Sequence, residues 1–158
     1  MSHVPARIHV AAAAIFDDHG RVLISQRPAH VHQGELWEFP GGKLEPGETA
    51  TDALYRECQE ELGFSVRAAR PLIRVVHDYP DKAVLLDVWR VDDFAGIAAG
   101  CEGQAIEWVD VGKLGEYSFP VANTPIIKAV CLPDCYLITP EPGPEHSRFL
   151  QTLERVLA

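Results

Sequence analysis

The acidic segment of residues 41–64, GGKLEPGETATDALYRECQEELGF, constrains the fold more than any other part of the chain. The stretch LWEFPGGKLEPGE, residues 36–48, overlaps the start of this segment and is rich in Gly and Pro, which predicts a shaped loop whose backbone can approach a ligand closely. From Thr49 the pattern becomes helical, because Thr49 and Asp52 have the spacing of a near capping box and Gly63 stands where a C-cap would. We therefore predict a loop followed by a helix over residues 49–62.

This helix carries Glu57, Glu60 and Glu61 at i, i+3, i+4 spacing. Since each helical residue advances about 100°, Glu61 falls roughly 20° from Leu54 at the centre of the apolar stripe. A buried carboxylate is costly without partners, and Arg56 is the one basic residue nearby. Acidic runs of this kind are either solvated helix faces or sets of oxygen ligands for a hard divalent cation. The spacing and the burial of one member favour a site for Mg²⁺ or Mn²⁺.

The same residues fit the Nudix box, G-x5-E-x7-R-E-U-x-E-E-x-G-U, in which U is an aliphatic residue. The departures are Cys58 and Phe64, which stand where aliphatic residues are usual. The chain therefore resembles the Nudix hydrolases. All fixed positions of the box are occupied, by Gly42, Glu48, Arg56, Glu57, Glu60, Glu61 and Gly63.

The resemblance extends to the MutT branch of this family, pyrophosphohydrolases that act on 8-oxo-dGTP, and covers roughly residues 6–130. It is carried by LISQRPA before the box, LWEFPGGK at its start, DYPDK after it, and EGQAIEW and FPVANTPII further along. It implies a Nudix fold of the α+β class, in which a mixed β-sheet is sandwiched between helices. Residues 1–131 would form this domain.

The resemblance also implies a metal site and a reaction. Glu57, Glu60, Glu61 and Glu102, with the carbonyl of Gly41, would hold divalent ions. The expected reaction is attack of a metal-activated water on a phosphorus of the diphosphate chain, which yields a nucleoside monophosphate and pyrophosphate. Glu57 is expected to be the general base. Glu102 is the alternative, since the sequence does not say which carboxylate is a ligand and which is free.

Within the box, Glu48 and Arg56 would brace the loop against the helix. Outside it, Arg27 would reach the nucleotide. Phe39 and Tyr79 are candidates for stacking on the base, although both are also ordinary packing residues. These positions would form the substrate-binding part of the site.

Asn123 is the residue expected to set base specificity. Guanine shows two acceptors, O6 and N7, on its Hoogsteen edge. Oxidation at C8 protonates N7, so a single Asn amide then satisfies that edge with its NH₂ group and its carbonyl. Normal guanine would leave polar groups unpaired and be rejected. The alternative is a helix-start residue beside Thr124 and Pro125.

Apolar runs between turn signals predict the remaining strands. The first two would form a hairpin or an adjacent strand pair, and a mixed order of strands and helices predicts helices packed on a mixed sheet. The predicted elements are strands over residues 8–16 and 21–27, a strand pair over 70–80 and 82–91, a short strand over 105–111, and a helix starting with a capping Thr124.

Residues 132–158 differ in character, because they read as a strand, a Pro- and Gly-rich linker and an amphipathic helix. The stretch LPDCYLITPE resembles the opening strand of thiamine phosphate synthase domains. This tail would then be the beginning of a truncated second α/β domain.

Composition limits the partners. The formal net charge is -9 and no run of Lys or Arg stands out, so the electrostatic footprint of a duplex-binding protein is missing. No apolar run reaches the roughly 20 residues of a membrane span, and the N-terminus lacks a secretory layout, so we expect a cytoplasmic protein. A monomer is the expected state, although the sequence does not determine it. The cysteines lack zinc-ribbon spacing and are expected to be free thiols, and His30 and His32 receive no role. The cysteines are Cys58, Cys101, Cys131 and Cys135.

Three functions fit these residues. The first is an 8-oxo-dGTP diphosphatase. The second keeps the chemistry with another substrate, either a different nucleoside triphosphate or a diphosphate of the thiamine pathway. The third is a Nudix module that binds nucleotide without turnover, which the complete set of box carboxylates disfavours.

Overall fold

The computed structural model describes residues 7–31, 33–133 and 146–157. Strands and helices alternate irregularly along these residues, as the sequence predicted. The elements are β1 Ile8–Ile15, β2 Arg21–Gln26, β3 Trp37–Glu38, β4 Gly41–Lys43, α1 Ala50–Leu62, β5 Ser65–Asp78, β6 Ala83–Ala95, β7 Ile106–Asp110, α2 Thr124–Val130 and α3 His146–Leu157, with 3₁₀ helices at Val111–Glu116 and Val121–Asn123.

The strands form two sheets. The larger has the order β4-β1-β6-β5 and is mixed, because β1 runs parallel to β6 and antiparallel to β4. The smaller has the order β3-β2-β7 and is antiparallel. The predicted pair over residues 70–80 and 82–91 is confirmed, since β5 and β6 form a long antiparallel hairpin. The short strand β7 is confirmed as well.

The expectation that the first two strands pair is confirmed only next to their turn. Phe16 and Val22 form an antiparallel bridge, and the N–H of Asp17 donates to the carbonyl of Arg21 at 3.0 Å. Beyond this point β1 and β2 belong to different sheets. The reason is that β1 is apolar on both faces, which suits a strand with a neighbour on each side and layers above and below. The turn between β1 and β2 therefore connects the two sheets.

Two apolar clusters cover the opposite faces of the larger sheet. On one face Ala12 and Ala14 of β1 join Ile126 and Val130 of α2. On the other face Ala11, Ala13 and Ile15 of β1 pack against α1, because side chains alternate along a strand. This arrangement of helices on both sides of a mixed sheet confirms the predicted α+β sandwich. The second cluster contains Ala11, Ala13, Ile15, Leu23, Ala53, Leu54, Cys58, Leu62, Phe64 and Val91.

The ends of α1 follow its sequence signals. The side chain of Thr49 accepts from the backbone N–H of Asp52, and the Asp52 carboxylate accepts from the N–H of Thr49 at 3.1 Å. Gly63 closes the helix in the left-handed conformation, with φ of 71°. The predicted helix is confirmed with its capping box and its C-cap.

The Gly- and Pro-rich loop contains more regular structure than predicted, because β3 and β4 lie within it. β4 pairs with β1, placing Gly41 opposite Ala12. A Cβ atom at Gly41 would lie 2.1 Å from the carbonyl oxygen of Ala11, so only glycine allows this approach. The glycines that we took as loop formers therefore make a strand pairing possible.

The second helix starts slightly differently from the prediction. Thr124 is its first helical residue and not its cap. Asn123 holds the N-cap position, yet its side chain makes no cap hydrogen bond. The helix itself is confirmed, with Pro125 near its start.

In the tail, α3 confirms the predicted amphipathic helix. The predicted strand and linker before it fall on residues 134–145, outside the described part of the chain. Within the described ranges, no helix combines the length and the apolar character that crossing a bilayer requires.

The close contact between β4 and β1 generates a stability prediction. Gly41→Ala should lower the free energy of unfolding by about 3 kcal/mol or more, because backbone strain adds to overpacking against a carbonyl that cannot move alone. Gly47→Ala is the matched control, since Gly47 also has positive φ but a Cβ there meets nothing within 4 Å. It should cost only about 1 kcal/mol. Urea unfolding compares the two, and equal costs would contradict this account of β4.

Candidate functional site

Arg56 is the centre of an ion-pair network on α1. Its Nε and Nη2 donate to the two oxygens of Glu48 at 2.7 and 2.9 Å. Its Nη1 donates to Glu57 at 2.8 Å and to Glu60 at 3.1 Å, and Nη2 also donates to the carbonyl of Lys43 at 3.1 Å. The guanidinium thus connects the end of β4 to three carboxylates.

This network shifts the pKa of Glu48. The hydrogen bonds from Arg56, with a further bond from the backbone N–H of Glu45, lower the pKa of Glu48 from 4.5 to about 2. Glu48 therefore stays ionised and paired with Arg56 well into the acid range.

Glu61 points towards the sheet, away from this network. Its Oε2 accepts a hydrogen bond from the backbone N–H of Gly41 at 3.0 Å. Burial, together with the carboxylates of Glu57, Glu38 and Glu102, raises the pKa of Glu61 to about 8, against the effect of that bond. Negative charge around Glu61 is therefore in excess.

A loop brings Glu102 to the C-terminal end of α1. The backbone N–H of Cys101 donates to the carbonyl of Glu61 at 2.9 Å. Gln104 makes two contacts, because its amide donates to the same carbonyl at 2.9 Å and accepts from the N–H of Glu102 at 2.9 Å. Our sequence reasoning missed Gln104, although it belongs to the EGQAIEW stretch that carried the resemblance.

The four predicted metal carboxylates lie in one region but do not form a ligand set in the described residues, where no three His, Cys, Asp or Glu side chains converge as metal ligands. Arg56 explains this, because its guanidinium takes up oxygens of Glu57 and Glu60. The donor chemistry nonetheless fits a hard divalent cation, which prefers carboxylate and carbonyl oxygens. The raised pKa of Glu61 indicates the charge that such an ion would offset.

Next to the acidic region lies a cavity of about 240 Å³. Its apolar wall comes from the larger sheet, through Ile8 and Val10 of β1 and Val84 and Leu86 of β6. Of the predicted binding residues, Arg27, Tyr79, Asn123 and Gly41 all line it. The fold therefore brings together residues from four separate segments.

Asn123 and Phe39 differ in their placement. Asn123 lines the cavity and is only 8% exposed, and it does not cap α2. Phe39 is 3% exposed and stacks on Phe119, with ring centroids 5.8 Å apart, in the core cluster that faces α2. Stacking of Phe39 on the base stays a prediction. Its ring packs in the core, which was the alternative at this position.

Three charged residues of the cavity wall escaped our sequence reasoning. Glu38 forms an ion pair with Arg27, while Lys43 and Lys82 add positive charge. Lys82 also lies over the ring of Tyr79, with its Nζ 5.7 Å from the centroid. All three belong to stretches that we quoted for the resemblance, LWEFPGGK and DYPDK, so the signal was present but was not used.

Gly42 connects the cavity to the acidic helix. It lines the cavity, and a Cβ atom placed on it would lie 2.0 Å from Oε1 of Glu57. A ligand in the cavity therefore has the carboxylate of Glu57 directly beyond Gly42.

The prediction of free thiols is confirmed for Cys58, Cys101 and Cys131. Cys135 and His32 lie outside the described residues.

Comparison with known proteins places the chain in context. The model of the NUDIX domain family matches residues 11–129. The chain is 35% identical to the 8-oxo-dGTP diphosphatase of Escherichia coli K12 over 121 residues, which cover 77% of this chain and 94% of that protein. It is 36% identical to the CTP pyrophosphohydrolase of the same organism over 117 residues, or 74% of this chain and 87% of the relative.

One solved structure is also similar to this chain in fold and sequence. The match comes from a study of MutT from Aliivibrio salmonicida and Vibrio cholerae, with a TM-score of 0.70 and 39% identity. It covers 78% of this chain and 96% of that one.

The lowered pKa of Glu48 predicts how stability depends on pH. A carboxylate with a depressed pKa in the folded state stabilises fully above its ordinary pKa, so this contribution should disappear as pH falls from about 4.5 to about 2. Glu48→Gln should be less stable than the parent at pH 7, and the difference should vanish in that window. Urea unfolding at several pH values tests this. Glu45→Gln, an equal charge change at an exposed neighbour, should show no such convergence.

Proposed function

Since this chain belongs to the Nudix hydrolase family and is an enzyme that cleaves a diphosphate linkage, we propose that it hydrolyses 8-oxo-dGTP to 8-oxo-dGMP and pyrophosphate. The proposal makes it a nucleotide-pool sanitising enzyme, which prevents incorporation of the oxidised base into DNA. Several relatives carry the name 8-oxo-dGTP diphosphatase. The observation that carries the substrate assignment is the buried Asn123 on the cavity wall, whose side chain makes no cap hydrogen bond with α2.

Asn123 suits the proposed base in its chemistry. Its amide offers a donor and an acceptor side by side, which matches O6 and the protonated N7 of an 8-oxoguanine. Because Asn123 is almost buried, a mismatched edge would leave polar groups without water, and this cost is the source of selectivity.

Nudix hydrolases generally need a divalent metal ion, and we propose Mg²⁺ or Mn²⁺. Glu57, Glu60, Glu61 and Glu102, with the carbonyl of Gly41, would hold it. When bound, the ion supplies an activated water and neutralises charge on the transferring phosphoryl group.

The chain's own residues have separate parts in this proposal. Glu57 is the proposed general base, because it lies at the junction of the cavity and the acidic region, directly beyond Gly42. Glu102 is the alternative base, held near α1 by Gln104. Lys43 and Lys82 on the cavity wall would offset phosphate charge.

A second candidate substrate is CTP, because the CTP pyrophosphohydrolase of E. coli is as similar to this chain as the 8-oxo-dGTP diphosphatase from that organism. A thiamine-pathway diphosphate is the third candidate. It depends on the resemblance of residues 132–158 to the start of a second α/β domain, a division of the chain that we keep as a proposal.

The proposed setting is the cytoplasm, where free nucleoside triphosphates are found. We propose that the enzyme acts there as a monomer on a free nucleotide. A net charge of -9 argues against duplex nucleic acid as a partner.

The substrate proposal predicts selectivity that depends on Asn123. With Mg²⁺, kcat/KM for 8-oxo-dGTP should exceed that for dGTP by about a hundredfold or more, and Asn123→Ala should bring the two close together. Pyrophosphate release at low substrate measures both, with CTP as a third substrate. A preference for CTP, or selectivity unchanged in the variant, would overturn this assignment.

The assignment of Glu57 predicts a loss of turnover. Glu57→Gln keeps the shape of the side chain but removes the charge, and should lower kcat by a factor of about 10² to 10⁴. Glu45→Gln, which changes an exposed glutamate of the loop, is the control and should retain the parent rate. Near-normal turnover in Glu57→Gln would rule out Glu57 as base and leave Glu102.

A further inference from the structure

The cavity wall contains one carboxylate that the proposed reaction does not use. Glu38 lines the cavity beside Arg27, at the end of β3. Its Oε2 accepts a hydrogen bond from Nη1 of Arg27, and among the described residues no hydrogen bond reaches its Oε1. A partly buried carboxylate is costly unless donors meet its oxygens. Glu38 therefore has acceptor capacity available for a ligand.

The environment of Glu38 supports this interpretation. Burial raises the pKa of Glu38, and the charge and the hydrogen bond of Arg27 act in the opposite direction. The ion pair with Arg27 thus favours the ionised form of Glu38, which accepts hydrogen bonds, at a position where burial favours the protonated form. Lone pairs remain on both oxygens, since a carboxylate has about four acceptor sites.

The shape of the cavity limits what lies against Glu38. Ile8, Val10, Val84 and Leu86 come from two neighbouring strands and face the same side, so they form an apolar surface suited to one face of a planar ring. A base lying on this surface has its edges directed at the polar wall residues. Asn123 belongs to one part of that wall, before α2, and Glu38 to another, on β3.

We propose that Glu38 recognises the Watson–Crick edge of a guanine-type base. On that edge N1–H and the exocyclic amine are adjacent donors, and one carboxylate accepts from both. Adenine presents an acceptor at N1 and is repelled. The proposal rests on the proposed function and deepens it. Asn123 then distinguishes oxidised from normal guanine, and Glu38 distinguishes a guanine-type base from adenine.

A purely structural role for Glu38 makes a different prediction. If Glu38 only holds Arg27 in position, its loss lowers kcat/KM for all nucleotides by the same factor. If Glu38 contacts the base, the size of the loss differs between substrates with different Watson–Crick edges. The deciding quantity is therefore a ratio between two substrates that differ only in the exocyclic amine.

The experiment compares 8-oxo-dGTP with 8-oxo-dITP, which lacks that amine. In the parent chain, kcat/KM for 8-oxo-dITP should be lower by about tenfold or more, the effect of one charge-assisted hydrogen bond. In Glu38→Gln the new NH₂ group meets the amine donor to donor, a clash that 8-oxo-dITP avoids, so the ratio should fall to about one or invert. The preference for 8-oxo-dGTP over dGTP should persist, because it belongs to Asn123.

Glu35→Gln is the matched control, since Glu35 is an exposed carboxylate three residues away that does not line the cavity. It should keep the parent ratio. An equal loss on both substrates in Glu38→Gln would assign Glu38 to the positioning of Arg27 and overturn the proposal.

A binding measurement separates this proposal from the proposed function. Calorimetry with 8-oxo-dGMP and 8-oxo-dIMP requires no turnover, and both nucleotides present the same edge to Asn123. If the parent chain binds 8-oxo-dGMP more tightly and Glu38→Gln removes the difference, Glu38 contacts the exocyclic amine even where no triphosphate is hydrolysed, and only the proposed function fails. Equal binding of the two nucleotides by the parent chain overturns the proposal for Glu38.

Discussion

The guanidinium of Arg56 is the interaction on which the rest of this structure depends. It reaches two oxygens of Glu48, one each of Glu57 and Glu60, and the carbonyl of Lys43. Arginine suits this position because its donors are rigid and always charged. Without it, the acidic residues of α1 and the preceding loop would repel one another with no fixed partner. The crowding of like charges is therefore tolerable because one cation distributes its bonds among several of them.

The short strand β4 brings the carboxylates of this network next to the cavity. Its glycines approach both neighbours, since Gly41 lies against β1 and donates to Glu61 while Gly42 lies against Glu57. The cavity and the carboxylates thus meet across a backbone without side chains. The proposed recognition on the sheet side and the proposed chemistry on the helix side are joined through this strand, which is three residues long.

Local signals were sufficient to predict much of this arrangement. Thr49, Asp52 and Gly63 marked the ends of α1 because caps are encoded within a few residues. The division into two sheets was not predictable in the same way, since the partners of β1 are chosen by distant segments. Phe39 shows the same limit, because a ring next to a binding motif has no local mark that tells whether it packs inward. Glu38 was overlooked because its proposed role depends on Arg27, which directly follows the preceding strand, and on a cavity lined by several distant segments.

The position of β1 also has a consequence for synthesis of the chain. β1 lies at the centre of the larger sheet, and its parallel partner β6 places Val84 opposite Ile8. A ribosome therefore completes this apolar strand long before it makes the strand that covers its edge. Pairings so distant along the chain form slowly, because a long loop must close first. A nascent chain that stops before β6 exposes an unpaired apolar edge, which is the form in which strands aggregate.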